Sequence, residues 1–281
     1  MTAEKKICAR IGMVYYINVA PIHETWKEQV RNDSWQLVEA HPSALNKMLA
    51  SGEIDLGFVS SHEYGMRPER YRILSDLSIS ANGAVGSVFL FSQVAPEQLT
   101  GLTVLLSSQS KTSVSLVKII LELFFEVNPC YIEAEVRDAR RKNVAAVLAI
   151  GDDAIRLKRD GFYPYCLDLG EVWREHTGLP FVFAVCAVRE DFCSRFPEQT
   201  DQIHQTLIDC RDRGTDDLPR ICALAAPRIP MDISSCHTYL SGIEYDLNVD
   251  KQRALTTFFT YLINLKDISV GALPLKIRYL R

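Results

Sequence analysis

Short apolar runs alternate with helical patterns along the first two thirds of the chain. The apolar runs predict strands at residues 7–14, 35–40, 54–60, 71–80, 88–92, 103–106, 131–136, 144–150 and 181–188. Helical periodicity predicts helices at 44–50, 113–127, 152–159 and 169–176, and then at 198–213, 219–225 and 250–266. Strands that alternate with helices are typical of α/β proteins, in which helices cover a sheet of parallel strands. The fold class is therefore predicted as α/β.

Capping residues set several of the predicted helix ends. Ser43 is a candidate N-cap for the helix at 44–50, and Gly52 is a candidate stop. Gly161 and Gly178 follow two later helices in the same way.

The order of the strands indicates two lobes. If the strand runs at 87–92 and 181–188 are the crossovers, the first lobe comprises residues 1–92 and 181–281, and residues 93–180 form an inserted second lobe. Two crossings make a hinge. A ligand is expected between the lobes, at the carboxyl ends of the strands.

Composition indicates an ordinary globular chain, with 47% hydrophobic and 23% charged residues. The net charge of −4 gives no global basic field, so nucleic acid is not an expected partner. The densest basic run is interrupted by Asp138 and is predicted to be a solvated loop. It comprises Arg137, Arg140, Arg141 and Lys142.

The sequence predicts neither membrane insertion nor export. Its longest apolar stretch, residues 114–127, is interrupted by Lys118, Glu122 and Glu126. No stretch reaches the ~18 apolar residues that a spanning helix needs, and residues 1–10 lack the apolar core of a secretion signal. We therefore expect a soluble, cytoplasmic protein.

The eight cysteines form no CxxC pair, and buried, reduced thiols are expected. The histidines are scattered without HxH or HxxxH spacing. Neither a metal site nor a cofactor is therefore expected.

Polar residues gather where predicted strands end. Asn18 follows the first strand, and its side chain can hold a hydroxyl or a carboxylate, although a turn before Pro21 explains it equally simply. Ser61 follows the third strand. Ser87 lies at the predicted hinge among small residues, and no GxSxG motif surrounds it, which argues against a hydrolase nucleophile.

Two further strand ends run directly into helices. Residues 107–113 offer several hydroxyls and a helix N-terminus, which together favour an anion, while plain helix capping is compatible with the same residues. At the next such turn, Asp152 follows Gly151 and can cap the helix, accept a hydrogen bond from a substrate hydroxyl, or do both.

These segments together resemble the chorismate dehydratase family of the futalosine route to menaquinone. The resemblance covers most of the chain and lies in RIGMVYYINVAP (10–21), IDLGFVSS (54–61), SVFLFS (87–92), KTS (111–113) and IGD (150–152). The most specific match is DLGEVW (168–173), which leads to TGLPFVFA (177–184).

The resemblance implies a periplasmic-binding-protein type II fold and a carbon–oxygen lyase (a hydro-lyase) that converts the dianion chorismate to 3-[(1-carboxyvinyl)oxy]benzoate without a cofactor. It implies that Ser87 hydrogen-bonds the substrate and that Asn18 orients a carboxylate or the leaving hydroxyl. Other residues would bind the substrate or line the pocket: Ser61, Thr112, Ser113, Gly151 and Asp152.

Two positions depart from the family pattern. Lys111 stands where the family often has Arg, and Cys186 stands where an aromatic residue is common. Two alternatives stay open. One is the sister lyase that acts on cyclic dehypoxanthinyl futalosine, disfavoured because its His-Glu pair and its Cys-Pro-Asn motif are absent here. The other is a cytoplasmic solute-binding or sensor domain without catalysis.

Overall fold

A computed structural model describes residues 8–14, 16–139, 143–229 and 231–280. Most of the predicted basic loop, residues 140–142, lies outside the described residues. Arg137 and Asp138 belong to a short 3-10 turn, Val136–Asp138.

The strands form two sheets. They are β1 (Ala9–Val14), β2 (Trp35–Ala40), β3 (Leu56–Ser60), β4 (Tyr71–Ala81), β5 (Val88–Ser92), β6 (Thr103–Ser107), β7 (Cys130–Ala134), β8 (Ala146–Ile150), β9 (Tyr165–Asp168), β10 (Phe181–Arg189) and β11 (Ile277–Arg278).

The helices lie on the faces and ends of these sheets. They are α1 (Ala20–Gln29), α2 (Pro42–Ser51), α3 (Ser61–Met66), α4 (Lys111–Ile119), α5 (Gly151–Asp160), α6 (Leu169–Thr177), α7 (Glu190–Arg195), α8 (Pro197–Asp216), α9 (Leu218–Ala225), α10 (Ile233–Ser241) and α11 (Val249–Asn264). The last turn after α4 is π-helical, at Ile120–Phe124.

Each lobe is built on one sheet. The first sheet has six strands in the order β11-β4-β10-β3-β1-β2, and the second has five in the order β7-β6-β8-β5-β9. Both sheets are mixed, because β10 runs antiparallel to β3 and β4, and β5 runs antiparallel to β8 and β9. The expectation of parallel strands is therefore wrong at β5 and β10, the strands that follow the two crossings.

The chain crosses between the sheets twice, through residues 82–87 and 169–180. The sequence assigned residues 88–92 to the first lobe, but β5 pairs with β8 and β9 in the second sheet. The strands at 88–92 and 181–188 are therefore not the crossings themselves, because hydrogen bonding holds each of them inside one sheet. The crossings are the segments that directly precede these strands.

Two predictions about α2 have opposite outcomes. Pro42 occupies the first helical turn and His41 is the N-cap, so Ser43 lies inside the helix and the predicted Ser43 cap is wrong. Gly52 ends the helix in the left-handed conformation, with φ +81°, as predicted.

The helices that follow β10 cover the first sheet. Helix α8 packs on α1 and β4, α11 packs on β10, and α9 packs on α10 in a small cluster of its own. Five cysteines are buried as predicted, whereas Cys8, Cys130 and Cys166 are exposed. No helix within the described ranges is long and apolar enough to cross a membrane.

Candidate active site

A cavity that is partly open to solvent lies between the two sheets, and its empty space, open solvent included, is about 640 Å³. The first sheet supplies apolar walls from β1, β3, β4 and β10, among them Val14, Val59, Ile79 and Phe183. Hydroxyl and amide groups from strand ends and helix starts face these walls. They are Tyr16, Asn18, Ser60, Ser87, Ser110, Ser113 and Gly151.

Asn18 lies on a 3-10 turn, Ile17–Val19, that directly follows β1. Its side-chain oxygen, Oδ1, is buried and has no hydrogen-bond partner within the described part of the chain. A buried acceptor without a partner is costly. The Asn18 side chain is therefore suited to accept a hydrogen bond from a group that enters the cavity.

Ser87 ends the first crossing and is held by its backbone and by its side chain. Its carbonyl accepts a hydrogen bond from Gly151 N–H at 2.7 Å, and its hydroxyl oxygen accepts one from the Tyr239 hydroxyl at 2.9 Å. The residue is 3% exposed. Ser87 therefore has a fixed position at the wall of the cavity.

The carboxylate of Asp168 fastens the two crossings together. It accepts hydrogen bonds from the backbone N–H groups of Val85 at 3.0 Å and Gly86 at 2.7 Å, in the first crossing. It also caps α6 by accepting from Gly170 N–H at 2.9 Å, in the second crossing. Charge-assisted bonds of this kind are strong. Asp168, the first residue of the DLGEVW segment, thus links the two crossings that form the hinge.

Two helices begin at the cavity. Ser110 caps α4 by accepting from Ser113 N–H at 3.2 Å, and α5 begins at Gly151. The first backbone N–H groups of a helix have no partner within the helix, and they carry the positive end of its dipole. Both helix starts therefore favour an anion in the cavity.

No Lys, Arg, His, Asp or Glu occurs among the lining residues that the structure describes. Lys111, next to the Ser110 cap, pairs with the exposed Glu133 at 2.8 Å. Any attraction for an anion in the cavity must therefore come from N–H and O–H groups.

The structure brings Asn18, Ser87, Ser113 and Gly151 together around the cavity. Gly151 takes φ +56°, and a β-carbon there would lie 3.4 Å from the Tyr16 ring, so the position suits glycine. Its N–H group already donates to Ser87, so the contribution of Gly151 is close packing.

Ser61 and Thr112 do not line the cavity. The Ser61 hydroxyl donates to the Val182 carbonyl at 2.7 Å. The Thr112 hydroxyl accepts from the N–H of His62 at 3.0 Å and so joins α4 to α3. Both hydroxyls are therefore engaged in hydrogen bonds within the protein. Of the adjacent serines Ser60 and Ser61, it is Ser60 that lines the cavity.

Asp152 lies behind the lining residues, in the first turn of α5. The N-cap of that helix is Ile150, so the capping prediction for Asp152 is wrong. Its Oδ1 atom is buried without a hydrogen-bond partner among the described residues, and burial raises the pKa of this carboxyl.

Hydrogen bonds join the two lobes at separate places. The Tyr16 hydroxyl donates to Oε1 of Gln109 at 2.6 Å. Elsewhere, Asp267 accepts from the Ser115 hydroxyl at 2.8 Å and lies 3.1 Å from Nε2 of His62. The bond with His62 lowers the pKa of Asp267. The two lobes are therefore in direct contact in this structure.

Sequence reasoning missed Ser60, Ser110 and Tyr239. Ser60 directly precedes the predicted Ser61, Ser110 lies two residues before the predicted Thr112, and both carry the signal of a helix N-cap. Tyr239 had no signal, since α10 was not predicted and lies about 150 residues from Ser87 along the chain.

Comparison with known proteins decides the family. A model of the menaquinone biosynthesis family matches residues 9–264. The chain belongs to the menaquinone biosynthesis family. A curated member, the chorismate dehydratase of Thermus thermophilus, is 31% identical over 266 residues, which cover 88% of this chain and 93% of that protein. The family resemblance seen in the sequence is therefore confirmed.

Solved structures confirm the fold. Protein AF1704 from Archaeoglobus fulgidus superposes with a TM-score of 0.76 at 17% identity, covering 92% of this chain and 97% of that one. The alkanesulfonate-binding protein SsuA from Xanthomonas axonopodis pv. citri, bound to MOPS, gives a TM-score of 0.69 at 13% identity and covers 99% of this chain and 100% of that one. This family member thus has the predicted periplasmic-binding-protein-like fold.

Neither of the two residues that depart from the family pattern is among the lining residues of the cavity. Lys111 makes its ion pair with Glu133 on the surface. Cys186 is fully buried in β10, and burial raises the pKa of its thiol. Within the described segments, no group of three or more His, Cys, Asp and Glu side chains is placed to hold a metal ion.

Proposed function

We propose that this protein is a chorismate dehydratase, a hydro-lyase that removes water from chorismate to give 3-[(1-carboxyvinyl)oxy]benzoate. The observation that carries the proposal is the cavity between the lobes, which combines apolar walls, two helix starts and the unpaired oxygen of Asn18. The name of the Thermus thermophilus relative supports the same activity.

The cavity has features that suit this ligand. Chorismate has a six-membered ring, two carboxylates and one ring hydroxyl. Apolar residues such as Val59 and Phe183 can pack against the ring, and the N-termini of α4 and α5 favour carboxylates. Ser113, at the start of α4, has a buried hydroxyl on the cavity wall and is the residue we assign to a carboxylate.

The reaction itself has a large driving force. The hydrogen on the ether-bearing ring carbon is removed as a proton, and the resulting carbanion is delocalised into the ring carboxylate. The electron pair then forms a ring double bond as the neighbouring carbon releases hydroxide. Proton and hydroxide together make water, and the ring becomes aromatic. The protein has to hold the dianion and stabilise the charge that develops.

The base in this proposal is the enolpyruvyl carboxylate of the substrate. No carboxylate or imidazole is found among the described lining residues, which is consistent with a proton acceptor carried by the ligand. Asp152 lies near the cavity but behind Gly151, and the proposal gives it a supporting position only.

Asn18 and Ser87 carry the proposed catalytic roles. The Ser87 hydroxyl donates a hydrogen bond to the substrate. Asn18 uses its unpaired Oδ1 to accept a hydrogen bond from the hydroxyl that leaves, and so orients that group before it departs. Both residues lie on turns fixed by neighbouring strands, so they are positioned before the substrate binds. A cytoplasmic location belongs to the same proposal and follows from the family resemblance.

The test is to incubate the purified protein with chorismate and follow the aromatic enol ether by chromatography and mass spectrometry. We expect product with the wild type, and none with Asn18→Ala or Ser87→Ala although both variants keep the wild-type circular dichroism. Near-normal turnover in both variants would overturn the residue assignment. Binding of chorismate without product would favour a sensor, and turnover of cyclic dehypoxanthinyl futalosine instead would favour the sister lyase.

A further inference from the structure

Helix α10 places one hydroxyl against Ser87. The Tyr239 hydroxyl donates to Oγ of Ser87 at 2.9 Å, across 152 positions of sequence. Burial raises the pKa of Tyr239, so its hydroxyl keeps its proton throughout the neutral range. The hydrogen bond runs from the Tyr239 hydroxyl to Oγ of Ser87, so the Ser87 oxygen is the acceptor.

This bond settles what the Ser87 hydroxyl can do. A serine hydroxyl has one hydrogen and two lone pairs, and its hydrogen rotates to suit the surroundings. With one lone pair occupied by Tyr239, the hydrogen turns away from Tyr239. Ser87 is a lining residue of the cavity, so the direction left for its hydrogen is toward a bound ligand.

The ring of Tyr239 is itself held in place. A β-carbon added at Gly86 would lie 3.3 Å from the ring, so the backbone of the first crossing packs directly on it. Gly86 has φ +72° and donates its N–H to Asp168. The hinge therefore fixes Tyr239 and Ser87 relative to each other.

We propose that Tyr239 is a positioning residue that orients the Ser87 hydroxyl as a hydrogen-bond donor to the substrate. The inference rests on the proposed function, because it concerns the residue to which that function assigns a substrate contact. Tyr239 does not touch the substrate in this proposal and acts through Ser87.

The informative variant is Tyr239→Phe, which keeps the ring and removes only the hydroxyl. Without this donor the Ser87 hydrogen is free to rotate and a pre-organised contact is lost. We expect kcat to fall by about 10- to 100-fold, with KM for chorismate changed less than about threefold. A non-reacting ligand, the benzoate product, should bind about fivefold more weakly, as expected for one weakened neutral hydrogen bond.

Tyr245→Phe is the matched control. Tyr245 is also buried in the first lobe, and its hydroxyl has no hydrogen-bond partner within the described ranges. We expect the Tyr245 variant to keep wild-type kcat and product affinity. In a Ser87→Ala background, Tyr239→Phe should leave product affinity unchanged, because the residue it orients is already gone.

The outcomes separate this inference from the proposed function. An active wild type with undiminished kcat and product affinity in Tyr239→Phe overturns the inference alone. Equal losses in the Tyr239 and Tyr245 variants, or a further loss of product affinity in the Ser87→Ala background, also overturn it, since they indicate a structural role. A wild type that binds product without turning over chorismate overturns the dehydratase proposal, and product affinity then tests Tyr239. A wild type that does neither overturns both.

Discussion

Gly170 packs directly on the carbonyl of Gly83, which brings the two crossings into contact. A β-carbon at Gly170 would lie 2.5 Å from the Gly83 oxygen, closer than such atoms can approach. Asp168 bonds both crossings beside this contact. The two segments that join the lobes therefore behave as one structural unit.

We predict that Gly170→Ala destabilises the protein by about 1–3 kcal/mol, because backbone must shift to admit the methyl group. The shift would also move Ser87 and lower kcat. Urea denaturation together with kcat for chorismate measures both effects. Gly242→Ala is the control, because its β-carbon would lie 3.5 Å from the Tyr239 carbonyl oxygen, an ordinary contact. Equal stability of the two variants would contradict the prediction.

The bond between Tyr16 and Gln109 gives a second prediction. Tyr16→Phe removes one hydrogen bond that joins the first lobe to the second. A loss of about 1 kcal/mol in closure weakens apparent affinity roughly fivefold. We expect KM for chorismate to rise by that factor, with kcat within about twofold of the wild type. Gln109→Ala should give the same rise, and the double variant no more than either alone; additive losses would argue against a shared bond.

Asp152 gives a prediction with opposite effects on stability and on binding. Because burial raises its pKa, the charged form is disfavoured in the folded state, and stability is lost as pH rises through the folded pKa. Asp152→Asn should therefore raise the thermal midpoint at neutral pH, by roughly 2 °C, and the gain should vanish near pH 3. If Asp152 accepts a substrate hydroxyl, the same variant raises KM. A lower midpoint at neutral pH would refute the stability prediction.

Glu24 gives a prediction of acid sensitivity. Its hydrogen bond with His23, aided by Arg228, lowers its pKa from 4.5 to about 2. A depressed carboxyl pKa stabilises the fold above the unfolded value and loses that effect as pH falls toward the folded value. Glu24→Gln should cost about 1–2 kcal/mol at pH 7, less than the full shift implies because solvent screens this partly exposed carboxylate. The difference from the wild type should disappear between about pH 4.5 and pH 2, measured by urea denaturation. A difference that persists at pH 2 would point to packing instead.

The sequence predicted the strands and helices that have a strong apolar period. Strands such as β3 and β8 are buried along their whole length, and the αL glycines at 52, 161 and 178 mark helix ends. It missed the helices α1, α3, α7 and α10 and the strands β9 and β11. Two of these give little signal: β9 is a short edge strand with two exposed residues, and α10 has only two buried residues. Neither β9 nor α10 has a hydrophobic periodicity that distinguishes its sequence from that of a loop.

The positions of the strand ends predicted part of the candidate site. Asn18, Ser87 and Ser113 were expected near strand ends, and the structure places all three on one cavity, while their roles rest on the family resemblance. Ser61 was misplaced because α3 begins directly after Ser60 and turns the next hydroxyl toward Val182. Tyr239 could not be found locally, since its partner is fixed by how α10 packs on the hinge.

The lining residues described for the cavity include no ionisable cation or acid, so the polar groups that would contact an anion there are N–H and O–H dipoles. Amide and hydroxyl dipoles do not titrate between pH 4 and pH 9, so the field that these lining groups produce is constant over that range. The pH–rate profile of this protein should then show the ionisation of its ligand and of Asp152. The lining groups should make no contribution to the pH dependence. The dipoles that contact the substrate are therefore oriented when the protein folds, and they keep that orientation at every pH in this range.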